Sequence, residues 1–149
     1  MDVEIIGMSR VGSRLLSLQG GAGRTFIDKY GRHMLLTQIA GKCEDKLQVF
    51  KGSLRKPAFI EMTNNFISEM KQYNVNPQDL AQLGENLAEE SVLRAKLADL
   101  ALIFSEYQEK IKDRYTDSED YIDLYMSKIR SSAWISESRI WVYGFDSFA

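Results

Sequence analysis

The sequence is poor in the residues that most metal and redox chemistry requires. Among 149 residues there is one cysteine, Cys43, and one histidine, His33. A single thiol cannot close an internal disulfide, and a single imidazole cannot supply a His-rich metal site. Proline is nearly absent as well, and the two present, Pro57 and Pro77, both read as first residues of helices. No run approaches the ~20 apolar residues that a membrane-spanning helix needs. The start, Met-Asp-Val-Glu-Ile-Ile, has an acidic flank and no long apolar stretch, unlike a secretory signal peptide. These absences lead to the expectation of a cytoplasmic protein with no membrane partner. An excess of one charge is also lacking. Nineteen Lys/Arg against 21 Asp/Glu leave −2, which argues against wholesale wrapping of nucleic acid but leaves room for a local basic patch.

What is present suits an ordinary globular chain. Apolar residues make up 44%, too many for wholesale disorder. A chain of this length is expected to form one domain and to bury ~68–70% of its unfolded surface. The near-neutral average hides a split. Residues 1–56 carry ten bases and five acids, +5, whereas residues 57–149 carry nine bases and sixteen acids, −7. Such asymmetry suggests that the two parts face different surroundings, although helical faces solvated by either charge would look similar.

Local patterns predict a strand, about six helices and a second strand. Val3–Gly7 is a β-branched run ending at glycine. Ser9 is expected to cap a helix carrying Val11, Leu15 and Leu16, stopped by Gly20-Gly21. Thr25 and Asp28 resemble a capping box, opening a helix with Tyr30, Met34 and Ile39 on its apolar face. A short amphipathic piece, Leu47 to Phe50, leads into the basic turn from Lys51 to Lys56. Pro57 then starts a helix whose stripe runs through Phe59, Met62/Thr63, Phe66, Met70 and Tyr73. Asn76-Pro77-Gln78-Asp79 is a strong helix start. The longest pattern follows Ser91, with Leu93, Leu97, Leu100, Phe104, Tyr107 and Ile111 on one face. Asp117-Ser118-Glu119-Asp120 precedes a helix presenting Tyr121, Leu124, Tyr125 and Ile129. The run from Arg139 to Phe145 reads as the second strand. The expected fold is therefore mainly α: a helical bundle of about six helices with short β-strands at the two chain ends, 3–7 and 139–145. The end strands look like parts of an α/β sheet whose remainder lies elsewhere.

No constellation of residues forms an active site in the sequence. Gly20-Gly21-Ala22-Gly23-Arg24-Thr25 lacks the spacing and the lysine of a phosphate loop and follows a helix, so a helix stop explains it better. His33 and Cys43 stand in no recognisable nucleophile arrangement. Asp117, Glu119, Asp120 and Asp123 could in principle hold a divalent ion, but acids in a first helical turn are favoured by the helix dipole in any case.

Three collinear stretches carry a resemblance. Ile5-Ile6-Gly7-Met8-Ser9-Arg10-Val11-Gly12-Ser13-Arg14-Leu15-Leu16 with Gly20-Gly21 comes first. Lys56-Pro57-Ala58-Phe59 with Glu69-Met70-Lys71-Gln72-Tyr73 and Asn76-Pro77-Gln78-Asp79-Leu80 comes second. The third comprises Lys96-Leu97-Ala98-Asp99-Leu100, Tyr115 to Tyr121 and Ile140-Trp141-Val142-Tyr143-Gly144-Phe145. In this order they resemble the N-terminal part of AddB, the B subunit of the bacterial ATP-dependent helicase/deoxyribonuclease, over essentially the whole chain.

The resemblance implies a single helical domain over 1–149. It would be a 1B-like insertion of a helicase-like domain, with the end strands belonging to that domain's sheet. It implies a non-catalytic accessory role in double-strand break repair and recombination, helping to guide single-stranded DNA. The runner-up is a scaffolding module that contacts the partner subunit without touching DNA. ATP, Mg and an iron–sulfur cluster would belong to segments outside these residues, and the implied partners are an AddA-type helicase-nuclease subunit and single- or double-stranded DNA. Arg10 and Phe145 match family positions that line the path inspecting single-stranded DNA for the hotspot sequence Chi. Met8 and Ser13 stand where the family has Phe and Trp, and Tyr143 stands at the place of the helicase acidic residue. Candidate DNA contacts are thus Arg10, Arg14, Phe145, Lys51, Arg55 and Lys56, with no catalytic or metal-binding residue.

Overall fold

Seven α-helices and one pair of two-residue strands account for the regular structure in the computed structural model, which describes residues 3–21, 23–112 and 114–144. Helix α1 spans Met8–Gln19 and ends where Gly20 and Gly21 take positive φ of 78° and 114°. These are values that glycine adopts without strain, so the diglycine is the expected helix stop. The N-cap is Gly7 rather than Ser9, whose carbonyl instead accepts the Ser13 hydroxyl at 3.0 Å within the helix.

Strand β1, Thr25–Phe26, pairs in parallel with β2, Tyr115–Thr116, in the register Thr25↔Tyr115 and Phe26↔Thr116. The Ile27 amide extends the ladder by donating to the Thr116 carbonyl at 3.0 Å. Thr25 therefore belongs to a strand, and Asp28 is itself the N-cap of α2 (Lys29–Cys43), accepting the Gly31 amide at 2.8 Å. Tyr30 and Met34 face solvent, while Arg32, Leu36, Ile39, Ala40 and Cys43 are buried. The buried set is the cleaner helical series, but it begins with an arginine.

Two 3-10 turns, Glu44–Lys46 and Lys51–Ser53, lead to α3 (Pro57–Gln72), which has Pro57 in its first turn as expected. Helix α4 (Pro77–Glu85) opens on a complete capping box. The Asn76 side chain accepts the Asp79 amide at 3.0 Å, and the Asp79 carboxylate accepts the Asn76 amide at 2.8 Å. Helix α5 (Val92–Ile111) packs against α4 and α2, and α2 packs against α3. Their apolar faces form one cluster that includes Leu36, Ile39, Ile67, Ile103, Phe104 and Tyr107. Helices α6 (Ser118–Ile129) and α7 (Ala133–Ser136) complete the regular structure of the described residues.

The chain divides into two compact units. One spans Arg24–Glu119; the other is made of Met1–Gly23 and Asp120–Ala149. The first is closed where its two ends meet in the β1–β2 ladder. In the second, Leu15, Leu16 and Tyr125 are buried and Val11, Tyr121, Leu124, Ile129, Trp134 and Ile135 pack around them. Gly12 is required there, because a Cβ would lie 2.9 Å from Tyr125 Cδ1 and 3.2 Å from the Tyr121 ring.

The strands expected at 3–7 and 139–145 do not form within the described residues. Residues 3–7 and 139–144 make no ladder, and Val3, Ile5, Ile140, Trp141, Val142 and Tyr143 are exposed. β-branched runs favour extended backbone, but a strand also needs an edge to satisfy its amides and carbonyls, and no described segment offers one here.

Candidate nucleic-acid interface

The sequence-predicted basic residues fall into two sets, one in each unit. Arg10 and Arg14 are four apart on α1, so they share a helix face and are both exposed. Arg14 is held in place: its Nη1 lies 2.6 Å from Glu4 Oε2, and its guanidinium stacks 4.4 Å from the centre of the Trp134 ring. Lys51, Arg55 and Lys56 form the second set, all exposed in the turn before α3. Lys51 Nζ is 3.5 Å from Asp45 Oδ1, with both groups in solvent, and Lys56 is the N-cap of α3. Phe145 lies outside the described residues. Each set is brought together by its own local element.

The basic turn is positioned by a buried carboxylate absent from the sequence-derived candidates. Asp99, on α5, is buried and accepts three backbone amides: Gln48 at 2.9 Å, Val49 at 2.8 Å and Phe50 at 3.0 Å. Charge-assisted bonds of this kind are about twice as strong as neutral ones, so the loop entering Lys51 is fixed to the central helix.

A second buried network ties Asp117 and Glu119 to α2, α3 and α5. Asp117 is fully buried; its Oδ2 takes Lys71 Nζ at 2.7 Å and the Tyr107 hydroxyl at 3.0 Å. Arg32 Nη1 reaches Glu119 Oε2 at 2.9 Å, and its Nη2 donates to the Ser68 hydroxyl at 2.8 Å. The Arg32 guanidinium carbon and Lys71 Nζ lie 5.6 Å and 5.9 Å from the centre of the Tyr107 ring. Asp117 and Glu119 thus both pair with cations of the protein itself. Among the described residues no group of three or more His, Cys, Asp or Glu could hold a metal ion. Cys43 is buried, and burial together with the nearby Glu106 raises its thiol pKa against the opposing effect of Lys46. Among the described residues no helix is long and apolar enough to cross a membrane.

One surface feature was not anticipated. A groove of about 750 Å³ opens beside β1 and α2, where Phe26, Met34 and Tyr115 are exposed around Ile27, Gly31 and Leu35. Asp28 and Gln38 complete its lining.

Comparison with known proteins shows a match over residues 1–149 to the family described as ADDB, N-terminal. The B subunit of the ATP-dependent helicase/deoxyribonuclease of Alkaliphilus metalliredigens (strain QYMF) is 30% identical over 148 residues, covering 99% of this chain and 13% of that protein. The proteins of the same name from Bacillus mycoides (strain KBAB4) and Bacillus cereus (strain B4264) are 33% identical over 152 residues, covering 98% of this chain and 13% of theirs. The chain spans about 13% of the length of these curated relatives.

Proposed function

Because this chain belongs to the ADDB N-terminal family, we propose that it is a non-catalytic accessory part of an ATP-dependent helicase/deoxyribonuclease that helps guide single-stranded DNA during double-strand break repair and recombination. The observation that carries this reading is the full-length family match together with the name shared by the relatives. ATP, Mg and an iron–sulfur cluster would be held by other segments of the longer protein, and the partner would be an AddA-type helicase-nuclease subunit, in the cytoplasm.

The physical support is the basic turn before α3. Lys51, Arg55 and Lys56 are exposed at the N-terminus of a 16-residue helix, where the helix dipole adds to their positive charge. The buried Asp99 presents this turn in one conformation, which lowers the entropy lost when a phosphate is bound. Arg10 and Arg14 offer a second pair of cations, with Arg14 already oriented by Trp134. Fluorescence anisotropy with a labelled oligonucleotide tests the reading. Binding at low salt is expected, with a log–log salt slope of about −0.7 per phosphate neutralised. The Lys51→Ala/Arg55→Ala/Lys56→Ala variant should flatten that slope. No binding by the chain at low salt would leave only a scaffolding role.

A specific observation favours the scaffolding alternative for one part of the chain. Ile140, Trp141, Val142 and Tyr143 form a contiguous exposed apolar run, and Val3 and Ile5 are exposed at the other end. Exposed apolar surface of this kind marks contact sites. In this second reading both segments become strands of a sheet completed by the longer protein or contact the partner subunit. Hydrogen exchange tests it: amides of residues 139–144 should be fast in the isolated chain and protected in the full-length protein.

A further inference from the structure

We propose that the corner where α4 meets α5 is a docking surface for a basic, amphipathic protein segment carrying apolar side chains beside lysine or arginine. It goes beyond the DNA-guiding reading above and does not depend on it. Leu83, Val92 and Leu93 are 55%, 62% and 54% exposed, and none of them joins the apolar cluster of the larger unit. A single exposed leucine is ordinary, whereas a group of large apolar side chains marks a contact site. The backbone brings this group together. A Cβ at Gly84 would lie 3.8 Å from the Arg94 carbonyl oxygen and 3.8 Å from Leu97 Cβ, so the end of α4 rests on the start of α5. Leu83 and Leu93 adjoin the residues of that contact, and Val92 opens α5 beside them.

Charge decides the occupant. Glu85, Glu89 and Glu90 are exposed in the same corner, and among the described residues no side-chain hydrogen bond or ion pair engages them. Glu85 is the last residue of α4, whose last turn holds no base. Its carboxylate therefore sits at the negative end of the helix macrodipole, an unfavourable placement that a cation from outside would relieve. Two cations of the chain lie nearby in sequence. Arg94 is on the side of α5 that meets α4, where its Nη1 donates to the Leu87 carbonyl at 3.2 Å. Lys96 is two positions further along, which turns it away from that side. Three carboxylates thus stand against Arg94, and counting Lys96 as well still leaves an excess of acid. A polyanion would be repelled here. A protein segment with lysine or arginine beside its apolar side chains matches both the charge and the leucines.

The test uses the 149-residue chain and two synthetic amphipathic peptides of about 15 residues, one of leucine and lysine, the other of leucine and glutamate in the same pattern. Amide shifts are followed by NMR. The leucine/lysine peptide is expected to shift the amides of residues 83–93, and the leucine/glutamate peptide to leave them in place. The Leu83→Ser/Leu93→Ser variant should bind the first peptide roughly 10-fold more weakly. The Glu89→Gln/Glu90→Gln variant should bind it roughly 2- to 10-fold more weakly, with a flatter dependence on salt. Glu85→Lys should weaken the peptide too, yet melt about 1–4 °C higher than the wild type, because a cation suits that helix end. Shifts confined to other residues, equal shifts with both peptides, or variants that bind like the wild type would overturn the proposal. So would a Glu85→Lys chain that melts no higher, since the unfavourable placement of Glu85 would then be refuted. An oligothymidylate in place of the peptide should leave residues 83–93 unshifted; shifts there would make the occupant a nucleic acid and overturn the proposal as well.

Discussion

Between residues 24 and 119, fifteen buried residues join one apolar cluster, and the Lys71–Asp117 and Arg32–Glu119 pairs are sealed beside it. Among the described residues, the unit formed by residues 1–23 and 120–149 has an apolar cluster of three buried residues, Leu15, Leu16 and Tyr125, within a ring of half-buried neighbours. The larger unit can carry polar groups inside because it has enough apolar burial to offset their desolvation. The smaller one has no such reserve and relies on close approach at Gly12 and on surface pairs such as Arg14 with Glu4 and Trp134. The smaller unit also carries exposed apolar residues near both of its chain ends, Val3 and Ile5 in one segment and Ile140 to Tyr143 in the other.

The contrast can be broken most directly at Lys71. Lys71→Met leaves the fully buried Asp117 without its lysine and should cost about 3–5 kcal/mol in urea unfolding followed by circular dichroism. A cost under about 1 kcal/mol would mean that the network is solvated and that the two units do not differ in this respect. Asp99→Asn comes next, at roughly 2–3 kcal/mol, because a neutral amide has one acceptor oxygen for three backbone donors. Hydrogen exchange at Gln48, Val49 and Phe50 should quicken in that variant. Gly12→Ala forces a methyl against Tyr121 and Tyr125 and should cost about 1–3 kcal/mol. Amide protection should fall in α1 and α6 and hold in α5; an equal loss in α5 would show that the two units unfold together. Asn76→Ala removes the capping box of α4, for about 1 kcal/mol in thermal unfolding. Lys51→Ala should change stability by less than about 0.5 kcal/mol, its partner Asp45 being in solvent, while weakening oligonucleotide binding.

Much of the helical layout was legible because helix signals are local. The Asn76-Pro77-Gln78-Asp79 start, the Gly20-Gly21 stop, Pro57 in a first turn and the Tyr121, Leu124, Tyr125, Ile129 face all stand where the residues place them. The candidate site was legible only as charge: Lys51, Arg55 and Lys56 are exposed in one turn, but nothing local announced that Asp99 would hold that turn from 49–51 residues away. The groove escaped notice because Tyr30 and Met34 look like core residues. They face solvent since the opposite side of α2, starting at Arg32, is the buried one.

By itself, then, the sequence determined the class of the protein, the position of most helix ends and the family to which the chain belongs. Tertiary structure decided what depends on partners distant along the chain. Thr25 became a strand residue because Tyr115 pairs with it in a parallel ladder, whereas the Val3–Gly7 and Arg139–Gly144 runs found no edge among the described residues. Arg32 went inside because Glu119, 87 residues later, neutralises it there. A buried charge is stable only beside its counter-ion, and a strand only beside its neighbour; neither condition can be met by a residue's own segment.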